Sequence, residues 1–214
     1  MYKEIFLLFF IGHFLGDYYF QSDKSVQNQN KKTVRLHSLI YTLSLLLTTL
    51  PVMNKMIFIV VLILSFTHWL IDSIKYRYKA THELSYEKFV FIYLFDQLLH
   101  IMIILLGGSF LMLQTVDIQY QLGLQNIILQ LQLNSELILS WILMLLVIYK
   151  PSSISIRIIL DHFEPAHKKE QDEGITNAGA LIGIFERLII FLMLYAGQWT
   201  AIGFVLSAKS VARY

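Results

Sequence analysis

From Met56 to Ile74 the chain reads MIFIVVLILSFTHWLIDSI, an apolar run close to the ~20 residues that an α-helix needs to cross the hydrocarbon core of a bilayer. It ends against three basic residues, Lys75, Arg77 and Lys79. Inside it the ionisable side chains are His68 and Asp72, four residues apart. Four residues of helix return a side chain to the same face about 6 Å further along the axis. The run therefore predicts a membrane-spanning helix with a paired polar feature built into one face.

Apolar runs recur near 5–20, 36–53, 89–113, 136–150, 177–196 and 198–212, and the first and last are short for a full crossing. Composition agrees: 56% of the 214 residues are hydrophobic and 15% charged, against about a quarter charged in soluble domains. The expectation is an all-α, polytopic transmembrane bundle of six to seven helices forming one domain over 1–214. A net charge of +2 gives no argument for a nucleic-acid partner. The absence of cysteine excludes disulfides and thiolate metal sites and leaves histidine, carboxylate and backbone ligands. The first run carries His13 and Asp17, follows Glu4 and lacks a small-residue cleavage site, so it reads as a retained helix and not a signal peptide. Pro51 ends the second run, and Pro151 interrupts the fifth, with Ser152–Phe163 continuing as a kinked or interfacial helix.

Basic residues orient the bundle, because cytoplasmic connections collect Lys and Arg. Lys24, Lys31, Lys32 and Arg35 fall in the first connection, Lys75, Arg77, Lys79 and Lys88 in the third, Arg157, Lys168 and Lys169 in the fifth, and Lys209 and Arg213 at the end. Lys3 and Lys55 lie on the other side. This places the N-terminus outside and the C-terminus inside a bacterial cytoplasmic membrane, with seven crossings. Residues 1–113 hold the first four helices and 136–214 the last three. Between them 114–135, with glutamines and no basic residue, suits an external segment at the interface. Asp161–Glu173 is the most charged connection and reads as a solvated loop.

Ionisable side chains inside spans are costly and rare unless paired or functional. Here His13 and Asp17, His68 and Asp72, and Asp96 and His100 are each four apart, and His37 opens the second run. With alternate helices running inward and outward, all seven fall at one depth, in the cytoplasmic half. His13-Phe-Leu-Gly-Asp17 and His68-Trp-Leu-Ile-Asp72 also echo one another, as a parallel repeat of two helix pairs would. Facing helices that offer His and Asp can bind a divalent metal such as zinc, manganese or iron. The candidate ligands are His13, Asp17, His37, His68, Asp72, Asp96 and His100, and Asp17, Asp72 and Asp96 are the candidate catalytic carboxylates. Such a metal would activate water for hydrolysis, with a lipid-linked phosphate or ester as substrate. Two other readings stay open, a proton or divalent-cation pathway in a transporter, and polar packing that only fixes the helices. No ionisable residue of the first four runs lies clearly in their outer halves, which speaks against a full conduction path. Gly12 with Gly16, and Gly179 with Gly183, are small-residue pairs that allow close helix approach. Glu186 and Arg187 are adjacent inside the sixth run, so each needs its own partner. For Arg187 that would be an anionic head group or an aspartate.

Gly12-His13-Phe-Leu-Gly-Asp17 with Gln21-Ser22-Asp23-Lys24, His37-Ser38-Leu39, His68-Trp-Leu-Ile-Asp72, Asp96-Gln97 with His100, Ile182-Gly183 to Glu186-Arg187 and Ala208-Lys209-Ser210 together resemble the bacterial membrane family called domain of unknown function 3307. The resemblance covers nearly the whole chain and implies no established activity. It implies patterned positions at His13, Asp17, His37, His68, Asp72, Asp96, His100, Glu186, Arg187 and Lys209. More distantly, Arg35-Leu-His37-Ser38-Leu39 and His68-x-x-x-Asp72 resemble the YdjM-type inner-membrane metal-dependent hydrolases over the first half of the chain, which implies metal-dependent hydrolysis.

Overall fold

The computed structural model describes residues 2–21, 30–160 and 178–212, with the backbone alone at Ala178 and 209–212. Ser22, Asp23, Lys24, Asp161, His162, Lys168, Lys169, Arg213 and the Lys209 side chain lie outside the described residues. Among those described the regular structure is helical throughout: α1 Tyr2–Phe14, α2 Lys31–Thr49, α3 Lys55–Thr81, α4 Tyr86–Leu113, α5 Leu122–Gln130, α6 Ser135–Tyr149, α7 Pro151–Leu160, α8 Ala178–Tyr195 and α9 Trp199–Ala212. Four stretches are long and apolar enough to cross a membrane: Lys31–Val52, Lys55–Thr81, Tyr86–Leu113 and Ser135–Leu160. Among the described residues the expected all-α architecture, with helices fit to cross a membrane, is what the chain forms.

Local chemistry sets the helix limits. Asn30 caps α2 by accepting from the backbone N–H groups of Lys32 and Thr33, and the Thr33 hydroxyl accepts from the Asn30 N–H in return, a reciprocal cap that satisfies otherwise orphaned donors. This starts α2 at Lys31, ahead of the apolar run at 36. Asn54 caps α3 through the Ile57 N–H. With no Gly or Pro between Lys75 and Thr81, α3 continues past its apolar run to Thr81. The chain turns after α2 in a short 3-10 helix, Leu50–Val52, that accommodates Pro51. Pro151 stands at the first position of α7, where its missing N–H costs nothing.

The chain divides into two compact units, Met1–Leu146 and Val147–Tyr214. In the first, α1 packs on α2 and α4, α2 on α3, and α3 on α4. Glycines let α1 and α2 approach closely. A Cβ at Gly12 would lie 2.6 Å from Thr48 Oγ1 and 3.1 Å from Leu45 Cα, and one at Gly16 3.0 Å from Tyr41 Cα. Ile5, Phe9, Leu45, Ile57, Val61 and Ile104 form a buried apolar layer. The outward faces are apolar as well: Leu36, Leu39, Leu43 and Leu47 make an exposed stripe down α2. Water would penalise such a stripe and lipid does not. The first unit thus holds histidines and aspartates in its interior while leucines line part of its outer face.

The far end of this unit is tied down by hydrogen bonds. Gln121 donates through its backbone N–H to Pro51 O and through Nε2 to Leu50 O, both at 2.9 Å, and Asn54 Nδ2 donates to Asp117 O at 2.9 Å. α5, within the stretch expected at the interface, has no buried residue. Glu4 is buried and accepts from the Ser135 hydroxyl. This carboxyl corrects the expectation that the outer halves of the first four helices hold no ionisable residue: α1 begins before its apolar run and takes Glu4 in with it.

In the second unit α7 packs on α8 and α8 on α9. The close approach expected at Gly179 and Gly183 does not occur among the described residues. A Cβ at Gly179 would meet nothing within 4 Å, and one at Gly183 meets Arg187 Nη1 at 3.4 Å.

Candidate metal centre

Each of the four helices α1 to α4 brings its polar residues to the same end of the first unit. α1 does so at its C-terminal end, α2 near its start, α3 in its second half and α4 in its first half, which antiparallel neighbours place side by side. Past Phe14 the chain widens into a π-helical turn, Leu15–Tyr19, that contains Asp17. The wider turn aims Asp17 among three helices, and such turns recur at functional sites.

His68 is at the centre. Its ring is sandwiched between Tyr41 and His100, with centroids 3.6 and 4.3 Å away and both planes within 18° of parallel. Held in this plane, His68 Nε2 lies 2.8 Å from Asp17 Oδ1 and Nδ1 lies 3.6 Å from Asp72 Oδ2. His37 Nε2 lies between the same two carboxylates, 3.4 Å from Asp17 Oδ1 and 3.3 Å from Asp72 Oδ2. Asp17 Oδ2 has His13 Nδ1 at 3.8 Å and His100 Nδ1 at 4.0 Å. His13, His37, His68, His100, Asp72 and Asp96 are buried, as are both Asp17 oxygens' imidazole neighbours. The seven residues expected to converge are brought together.

Several buried polar atoms of the cluster have no hydrogen-bond partner among the described residues: both nitrogens of His13 and of His100, Nδ1 of His37 and of His68, and Oδ1 of Asp96. Buried polar atoms are nearly always paired. A neutral imidazole carries one proton, so if His68 donates from Nε2 to Asp17, its Nδ1 presents a lone pair toward a carboxylate oxygen. A metal ion between them, or a second proton on the ring, would make that arrangement favourable. Three sets of potential ligand atoms lie within 4.8 Å of one another: His13, Asp17 and His68; His37, His68 and Asp72; and Asp72, Asp96 and His100. The donor set of imidazole and carboxylate suits a divalent transition metal, and the residues present fit one.

Two further groups complete the site. Lys75 Nζ bridges Asp72 Oδ1 at 2.6 Å and Asp96 Oδ2 at 2.8 Å. It was expected in a cytoplasmic connection, but the extension of α3 puts it one turn after Asp72, and that i,i+3 spacing was the available signal. Gln97 Nε2 donates to Asp96 Oδ2 at 3.3 Å while its Oε1 accepts from the Tyr18 hydroxyl at 3.0 Å, and Tyr18 pairs with Tyr93 at 2.9 Å. Glu186 and Arg187 belong to the second unit, where Arg187 Nη2 donates to Ser153 Oγ at 2.6 Å. The partner described for Arg187 is thus a serine hydroxyl.

No curated protein and no solved structure matches the chain. A family described as "Protein of unknown function (DUF3307)" matches residues 5–129. That span contains all seven His and Asp residues of the cluster and Lys75, while Glu186, Arg187 and Lys209 fall beyond it. With more than half of its length matched, and the match holding the whole polar cluster, the chain belongs to the DUF3307 family of proteins of unknown function.

Proposed function

We propose that this protein is a multi-pass enzyme of the bacterial cytoplasmic membrane, a metal-dependent hydrolase whose site opens toward the cytoplasmic leaflet and acts on a lipid-linked phosphate or ester. The observation that carries the proposal is the set of buried imidazole nitrogens without hydrogen-bond partners around three aspartates. A cluster serving only to fix helices would be expected to satisfy those atoms internally. The orientation is supported by Lys31, Lys32, Arg35, Lys75, Arg77, Lys79 and Lys88, which gather at the end of the helices nearest the cluster. Conduction is disfavoured by the apolar layer. Along α1 the next buried ionisable group after His13 is Glu4, about 13 Å away at the helical rise, with Ile5 and Phe9 between them.

A divalent ion held by the histidines and aspartates would polarise a phosphoryl or carbonyl oxygen and lower the pKa of a water molecule. Asp17 would orient His68 and raise its basicity as a ligand. Asp96, with Oδ1 unpaired and Oδ2 held by Lys75 and Gln97, would take the proton of the attacking water. Water oxygen then bonds to phosphorus or carbonyl carbon, the bond to the leaving alcohol breaks, and the carboxyl returns the proton to the departing oxygen.

Metal content of the detergent-purified protein tests this, beside His68→Ala and Asp72→Ala variants that still fold. Zinc, manganese or iron in stoichiometric amount, lost in both variants, is expected. Absence of metal after reconstitution with divalent ions would overturn it.

A further inference from the structure

We infer that the cluster takes one divalent cation and not two, because the Lys75 ammonium permanently fills the second cation position, between Asp72 and Asp96. The inference rests on the proposed metal site and deepens it. The second position can be located from the ligand sets. His37 Nε2 lies 3.4 Å from Asp17 Oδ1, of the first set, and 3.3 Å from Asp72 Oδ2, of the second, which joins these two sets around one position. The third set, Asp72, Asp96 and His100, is the one whose two carboxylates Lys75 already bridges.

Asp72 divides its oxygens between the two positions. Oδ2 faces His37 and His68 at 3.3 and 3.6 Å, and Oδ1 faces Lys75 at 2.6 Å. Lys75 makes no contact of this kind with Asp17, whose oxygens are surrounded by imidazoles. The carboxylate of Asp17 and one oxygen of Asp72 therefore serve the metal, and the remaining oxygen of Asp72 with Asp96 serves the ammonium.

Charge leads to the same count. Uncompensated charge in a low-dielectric interior is costly, and metal-bound imidazoles are neutral. The three aspartates are balanced by one ammonium and one divalent ion. A second divalent ion beside Lys75 would leave two positive charges without counterions. The ammonium takes Oδ2 of Asp96 and leaves Oδ1 without a partner.

Manganese titration of the metal-stripped protein, followed by electron paramagnetic resonance and by total metal analysis, tests the count. The wild type should bind one ion per chain with the signal of an isolated centre. Lys75→Met, which removes the charge and keeps the length, should bind two ions with a spin-coupled signal, and Lys75→Arg should bind one. The double variant Lys75→Met/Asp96→Asn removes both members of the ion pair and guards against misfolding of the single variant. It should bind one ion as the wild type does. Two ions in the wild type, one in a folded Lys75→Met, or none in the double variant would overturn the assignment of Lys75 while leaving a metal site in place. No ion in any variant would overturn the metal site itself and this inference with it.

Discussion

The Tyr41 ring lies face to face with that of His68, centroids 3.6 Å apart and planes 18° from parallel. Tyr41 belongs to α2 and His68 to α3, so the stack fixes the distance between two helices and the plane of the central imidazole together. Removing the ring in Tyr41→Ala should lower stability by roughly 3 kcal/mol, as aromatic truncations in packed interiors do, and should weaken metal binding. Tyr41→Phe should change neither. Thermal melts and metal affinity in detergent, measured on both variants, separate the ring from the hydroxyl.

Asp17 accepts from, or lies against, four imidazoles. Asp17→Asn keeps its shape and removes the charge that orients His68. Metal affinity should fall at least ~10-fold, the lower range for groups that orient a ligand. An unchanged affinity in competitive chelator titrations would assign the orienting role elsewhere.

At Gly16 a Cβ would sit 3.0 Å from Tyr41 Cα and 3.0 Å from Cδ2 of the Tyr41 ring. Gly16→Ala must push α1 away from α2 beneath the site, at a cost of about 1–3 kcal/mol. Gly179→Ala, where the structure offers open space, should be close to neutral in the same thermal assay.

Ligand binding to the folded state alone stabilises it by about 2.7 kcal/mol when the free ligand is 100 times its Kd. A chelator should therefore lower the melting temperature of the wild type, and the metal should restore it. His68→Ala should melt at one temperature under both conditions.

If basic ends face the cytoplasm, a fluorescent protein fused after His82 should mature and alkaline phosphatase fused there should be inactive. Fusions after Gln119 should behave in the opposite way. The reverse pattern would place the cluster near the outer leaflet.

The polar cluster was legible from sequence because helical spacing is a local property: His13 with Asp17, His68 with Asp72 and Asp96 with His100 declare their shared faces, and antiparallel helices do the rest. What escaped depended on helix ends and on neighbours. Lys75 follows an apolar run, and a lysine there looks like the start of a loop until the capped α3 is seen to continue through it. Glu4 was hidden in the same way at the start of α1. Tyr41 gave no signal at all, since a tyrosine among leucines is ordinary and its stack on His68 joins residues far apart in the chain. The second glycine pair had the spacing of a packing motif, but spacing alone does not supply a neighbouring helix.

The layer formed by Ile5, Phe9, Leu45, Ile57, Val61 and Ile104 has an electrical consequence. A membrane voltage drops where there is neither water nor mobile charge, and moving one elementary charge through 100 mV takes about 2.3 kcal/mol. In a chain oriented as proposed, that drop would fall across the apolar layer, beyond the cluster. An ion entering the proposed site from the polar end would reach His68 and Asp17 before crossing that layer, so occupancy would follow the ion's concentration on that side and would be insensitive to whether the membrane is energised.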